Sequence, residues 1–78
     1  MKVFITGASG YIGRELTRHL LNTGFEVNAF VRALPHNPLP SHPALSIHLG
    51  ELSRVDQLQQ AMRGCQIVFH LAAYAKPW

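Results

Sequence analysis

Sulfur and charge are scarce in this chain. One cysteine, Cys65, stands among 78 residues. No internal disulfide can form, which excludes a small secreted domain stapled by several bridges. Charged residues make up 14% of the chain, against ~25% in an ordinary soluble domain. No apolar run approaches the ~18–20 residues that a membrane-crossing helix needs. Met1 and Lys2 are followed by only Val3, Phe4 and Ile5 before Thr6 and Gly7, too little for the core of a secretory signal. Internal repeats and an interdomain linker are also lacking. The expected setting is reducing and cytoplasmic, away from membranes.

The remaining composition is that of a small globular domain. Hydrophobic residues make up 47%, too many for a disordered segment. A single core of this size supplies only a few kcal/mol. Seven Lys and Arg against four Asp and Glu leave a net charge of +3. The cations Lys2, Arg14, Arg18, Arg32, Arg54, Arg63 and Lys76 are scattered, without a run or interleaved aromatics. No nucleic-acid partner is expected; an anionic small ligand accounts for the bias. His36 and His42 stand in a proline-rich stretch with no Cys or carboxylate cluster, so no metal site is expected. His19 lies off the apolar stripe of its helix. Cys65 reads as a small apolar residue.

Periodicity divides the chain into alternating strands and helices. Residues 2–6 are a short β-branched run ending at Gly7, as in a buried parallel strand. From Tyr11 to Asn22 the apolar residues Ile12, Leu16, Leu20 and Leu21 fall on one face of a helix, and Thr23-Gly24 ends it. Residues 26–31 form a second strand. Residues 32–44 hold Pro35, Pro38, Pro40 and Pro43 and read as a loop. Residues 45–49 form a third strand. Ser53 fits a helix N-cap, with Asp56 as a weak capping-box partner. That helix is expected to reach about Arg63, with Val55, Leu58 and Met62 inward and Gly64 as its stop. Gln66 to Leu71 form a fourth apolar strand, and residues 72–78 carry no clear element.

This alternation predicts an α/β fold with a parallel sheet. Right-handed crossovers give the strand order 3-2-1-4 with helices on both faces: part of a doubly wound, Rossmann-type sheet, switching direction between strands 1 and 4.

Gly7-Ala8-Ser9-Gly10-Tyr11-Ile12-Gly13 joins the first strand to the first helix. In a G-x-x-G-x-x-G of this kind the first glycine turns the chain off the strand. The second leaves room for a pyrophosphate at the positive helix N-terminus, and the third lets helix and sheet pack closely. A glycine-rich turn without a ligand is the alternative, and the strand–turn–helix context argues against it. Ser9 is either a pyrophosphate donor or the small turn residue. Tyr11 either stacks near a cofactor or covers the turn. At the end of strand 2, where an NAD site carries an acid for the ribose 2′-hydroxyl, this chain has Arg32. A guanidinium pairs bidentately with a phosphate, so NADP is expected first and NAD second. The alternative is an exposed Arg with no ligand.

Val3 to Gly13, Val31-Arg32, Gly50-Glu51-Leu52 and His70-Leu71-Ala72-Ala73 together resemble the N-terminal part of extended short-chain dehydrogenases/reductases. The likeness is to the NAD-dependent epimerase/dehydratase family and its dihydroflavonol-4-reductase-like group. The resemblance implies a cofactor site of Gly7, Ser9, Gly10, Tyr11, Ile12, Gly13, Arg32, Glu51, Leu52, Leu71, Ala72 and Ala73. In it Glu51 stands where the family's adenine-contacting Asp stands, one methylene longer. Leu71, Ala72 and Ala73 would line the adenine ribose, and His70 would pack and hydrogen-bond. Gln66 replaces a frequent Asp. The family's catalytic Ser/Thr and Tyr-x-x-x-Lys pair lie beyond strand 4. Tyr74-Ala75-Lys76-Pro77-Trp78 puts Trp where that Lys would be needed, so no catalytic residue is assigned.

Residues 1–78 are therefore expected to be the N-terminal half of an NAD(P)-binding domain, truncated before its catalytic and substrate regions. A longer parent would be an oxidoreductase or epimerase acting by hydride transfer on a carbonyl or hydroxyl of a small molecule. Two other readings stand beside it. One is a non-catalytic dinucleotide sensor. The other is an inactive fragment or interaction protein that self-associates through the open edge of strand 4.

Overall fold

The structure, a computed structural model, describes residues 1–8, 10–32, 39 and 41–71. Its elements are β1 (Lys2–Thr6), α1 (Tyr11–Asn22), β2 (Glu26–Val31), β3 (Leu45–Leu49), α2 (Val55–Met62) and β4 (Ile67–His70). The strands form one parallel sheet in the order β3-β2-β1-β4. This is the expected Rossmann-type topology. Thr6 pairs with Phe30 on one side and His70 on the other, and Phe30 pairs with His48. The carboxyl ends of all four strands are thereby brought level. Loops leaving a parallel sheet at that end are where ligands bind in open α/β folds.

The two inner strands have the continuous burial of a sheet covered on both faces: Val3 to Thr6 and Val27 to Val31 are all buried. The outer strands do not. β3 and β4 carry only half-buried and exposed positions, so the two edge strands of the sheet are only partly covered. β4 is also shorter than Gln66–Leu71. Its hydrogen-bond ladder nonetheless extends one residue each way, with Gln66 N donating to Lys2 O at 2.9 Å and Leu71 N to Thr6 O at 3.1 Å.

Helix α1 covers one face, against Val3, Ile5, Val27, Ala29 and Val31, with Leu20 and Leu21 buried and Leu16 partly so. The expected stripe is corrected at its start: Ile12 is 69% exposed. Gly13 and Thr17 take the inner face instead; at Gly13 no Cβ fits against the turn of Gly7 and Ala8. The buried Thr17 hydroxyl donates to Gly13 O at 2.7 Å, the local bond that lets a threonine sit inside a helix face. Gly24, at φ +100°, turns the chain after α1, and Gly24 N and Phe25 N donate to Leu21 O and Leu20 O. Glycine-terminated helices close in this way.

Helix α2 departs further from expectation. Its N-cap is Arg54, without a side-chain cap, so Ser53 does not cap it. Asp56 instead meets the Arg54 guanidinium at 3.1 Å, which holds its carboxyl below the usual range. Val55 is 62% exposed and Met62 38%. The inward residues are Ala61, fully buried, and Leu58, packed against Phe4 and Phe30 with Cys65. Ala61 lies close because Asn28, buried on β2, donates from Nδ2 to the Ala61 carbonyl at 2.8 Å. A large side chain there would force helix and strand apart. Gly64 stops the helix as expected, at φ +81°.

Asn28→Ala leaves a buried carbonyl at the end of α2 without its donor. It is expected to lower the unfolding free energy by about 1–3 kcal/mol, measured by urea denaturation.

Candidate functional site

The site is built where β1 runs into α1. Gly7 has φ +75°, the left-handed region that only glycine enters freely. The turn closes with Gly10 N donating to Gly7 O at 3.1 Å and Arg14 N to Gly10 O at 2.9 Å. Two further glycines differ in what they do. A Cβ on Gly13 would sit 2.8 Å from Ala8 Cα and 2.9 Å from the Gly7 carbonyl carbon, so the crossing of helix and turn requires hydrogen there. Gly10 has φ −76° and ψ 170°, ordinary extended backbone. Among the described residues, a Cβ on it would meet nothing closer than Gly7 O at 3.6 Å. Neither its conformation nor packing against the described residues requires glycine at position 10. The open space in front of it belongs to the cleft, and α1 presents its N-terminus there with no acidic residue in its first turn. Free N–H groups and the positive end of the helix dipole face that space.

Two clefts meet at Gly7. One, of about 440 Å³, is lined by Gly7, Phe30, Val31, Arg32, Gly50, Glu51, Leu52 and Ser53. The other, of about 370 Å³, is lined by Gly7, Gly10, Tyr11, Ile12, Gly13 and Leu71. Of the residues selected from sequence, Arg32, Glu51 and Leu52 fall in the first and the glycine-turn residues with Leu71 in the second. Ser9, Ala72 and Ala73 lie outside the described residues. Tyr11 is 82% exposed, on the lip of the second cleft.

Arg32 follows the last residue of β2 and is exposed. It makes no hydrogen bond or ion pair with any other described residue. The first cleft rests on Phe30, whose ring is buried and tilted against Phe4 at 5.9 Å between centroids. Phe30, Val31, Gly50 and Ser53 also line this cleft and are not among the site residues selected from sequence. Phe30 looks like any strand residue, and Ser53 resembles a helix cap. Gly50 carries the detectable signal, a glycine directly after a strand.

On the other side of β1, Thr6 Oγ1 and His70 Nδ1 share a hydrogen bond of 2.7 Å. His70 thus joins two strand ends, as expected of it. Cys65 is half-buried and burial pushes its thiol pKa up, in keeping with a packing role. Among the described residues no cluster could hold a metal ion, and no helix is long and apolar enough to cross a membrane.

A parallel sheet in this order, with a glycine turn opening a helix at its carboxyl edge and clefts on both sides, defines a dinucleotide-binding fold. The chain belongs to the NAD(P)H-binding family, whose profile matches residues 7–76. A Synechocystis protein provisionally named dihydroflavonol 4-reductase is 40% identical over 75 residues, covering 96% of this chain and 22% of its own length. The 3-beta-hydroxysteroid dehydrogenase of Mycolicibacterium neoaurum is 38% identical over 72 residues, covering 92% of this chain and 19% of its own. The structure of the Bordetella bronchiseptica enzyme WbmH in complex with NAD+ superposes with a TM-score of 0.83 at 31% identity, over 97% of this chain and 27% of WbmH. The chain spans about a fifth of the length of the curated relatives it matches.

The two glycines separate packing from ligand space. Gly13→Ala is expected to destabilise the protein by ~1–3 kcal/mol through overpacking. Gly10→Ala is expected to keep the wild-type thermal midpoint while weakening dinucleotide binding at least about tenfold. Thermal denaturation alongside calorimetric titration checks both.

Proposed function

We propose that this chain forms the NADP(H)-holding part of an oxidoreductase or epimerase that moves a hydride to or from a carbonyl or hydroxyl carbon. It would be the N-terminal half of that enzyme's dinucleotide-binding domain. The observation that carries the cofactor choice is Arg32: a guanidinium at the end of β2, exposed on the wall of the first cleft and unengaged by any described side chain. A carboxylate at that place would repel a 2′-phosphate, whereas a guanidinium pairs with it.

The remaining roles follow from position. Gly10 and the α1 N-terminus would take the pyrophosphate. Glu51 and Leu52 would face the adenine, and Gly7 would let the ligand pass between the clefts. Leu71 shares the second cleft with Tyr11 and Ile12, away from Glu51, so it would flank the far side and not the adenine ribose that the resemblance implies. Ser9, Ala72 and Ala73 complete the proposed set on sequence grounds alone. When bound, the nicotinamide supplies the hydride chemistry; these residues bind and orient it. The proton-transferring Tyr-x-x-x-Lys pair is not found in this sequence, and the reductase and dehydrogenase names of the relatives support the reaction class.

Calorimetric titration of wild type and Arg32→Ala with NADP+ and NAD+ tests the reading. Wild type is expected to favour NADP+ by about tenfold or more, as a charge-assisted bidentate pair does, and Arg32→Ala to lose most of that ratio. An unchanged ratio overturns it. The preference is expected to shrink below about pH 6, where a phosphate monoester takes up its second proton. The chain by itself is expected to show no carbonyl-dependent oxidation of NADPH, followed by loss of NADPH absorbance.

A further inference from the structure

We infer that Gln57 is a positioning residue for the adenine end of the cofactor cleft, holding the turn that carries Glu51 through a single side-chain hydrogen bond. This rests on the cofactor reading above. Gln57 lies in the first turn of α2 and is absent from the walls of both clefts. Its Oε1 accepts from the Glu51 backbone N–H at 2.9 Å. Only the carbonyl end of the amide can accept, so the donor fixes its orientation.

Three anchors hold this turn. Gly50 N donates to Val31 O at 3.0 Å, tying it to the end of β2, and Arg54 N donates to Glu51 O at 2.9 Å, tying it to the start of α2. These are backbone bonds open to almost any sequence. The Gln57 bond is the only side-chain bond to residues 50–53 among the described residues. Gly50 makes it achievable: a Cβ there would lie 2.8 Å from Gln57 Oε1 and 2.8 Å from the Phe30 ring edge. The missing side chain lets the amide reach the turn and the phenyl ring reach the cleft at the same place. Gln57 thereby holds Glu51 in place on the cleft it shares with Phe30, where an adenine would lie, without itself lining that cleft.

The test compares Gln57→Met, of similar length but without a strong acceptor, with Gln57→Glu, which keeps one. Amide hydrogen exchange at Glu51 reports the anchor. Titrations with 5′-AMP and with nicotinamide mononucleotide report the two ends of the cleft separately. Gln57→Met is expected to speed Glu51 exchange and weaken 5′-AMP by ~3- to 10-fold, as loss of one net hydrogen bond does, while nicotinamide mononucleotide binding stays as in wild type. Gln57→Glu is expected to retain exchange protection and to bind 5′-AMP more tightly than Gln57→Met. Wild-type 5′-AMP affinity in Gln57→Met overturns the inference. So does an equal loss for both mononucleotides with a lowered thermal midpoint, which marks a structural role only. If the wild-type protein binds neither 5′-AMP nor NADP+, the cofactor reading falls and this inference falls with it.

Discussion

The site depends on the close crossing of Gly13 over the turn at Gly7 and Ala8. With no room for a Cβ between them, the first turn of α1 is pinned against the carboxyl end of β1. That contact fixes where the helix begins and aims its N-terminus along the sheet edge. It also rotates the helix, so that Gly13, Thr17, Leu20 and Leu21 face inward and Ile12 faces the cleft. The core and the site are consequences of one packing constraint, and the helix cannot shift to improve one without disturbing the other.

Seen this way, the three turn glycines do three different jobs. Gly7 adopts a backbone conformation that other residues resist. Gly13 answers a steric demand inside the protein. Gly10 answers neither, and its missing side chain matters only to something outside the chain. That difference is the strongest structural sign of a ligand, since no described residue gives position 10 a reason to be glycine. Gly50 plays a fourth part in the first cleft, where Phe30 and Gln57 converge over its bare Cα.

The strands, the order of the sheet and the ends of both helices at Gly24 and Gly64 were legible in the sequence. β-branched runs, proline exclusion and glycine stops act locally and survive in any context. The inward face of α2 was not legible. Hydropathy favours Val55 and Met62, but the helix is drawn in by Ala61 and by Asn28 bonding its last turn, a tertiary contact with no periodic signature. Ser53 looked like a cap because serine before an acidic residue usually is one; here it lies on the cleft wall instead. The half exposure of the apolar β4 was likewise hidden, since an apolar run does not reveal how many neighbours a strand has. Within the site the glycine turn, Arg32, Glu51 and Leu71 were visible as types at spacings. Phe30 and Gln57 became visible only through geometry.

In the proposed arrangement one dinucleotide would lie across both clefts at the carboxyl edge of the sheet. Mapping amide chemical shifts during an NADP+ titration tests it most directly. Shifts are expected at Gly7, Gly10, Arg32 and Glu51 together, with Gly24 and Gly64 at the opposite edge unmoved. Shifts centred on Gly24 and Gly64, or confined to one of the two clefts, would contradict it.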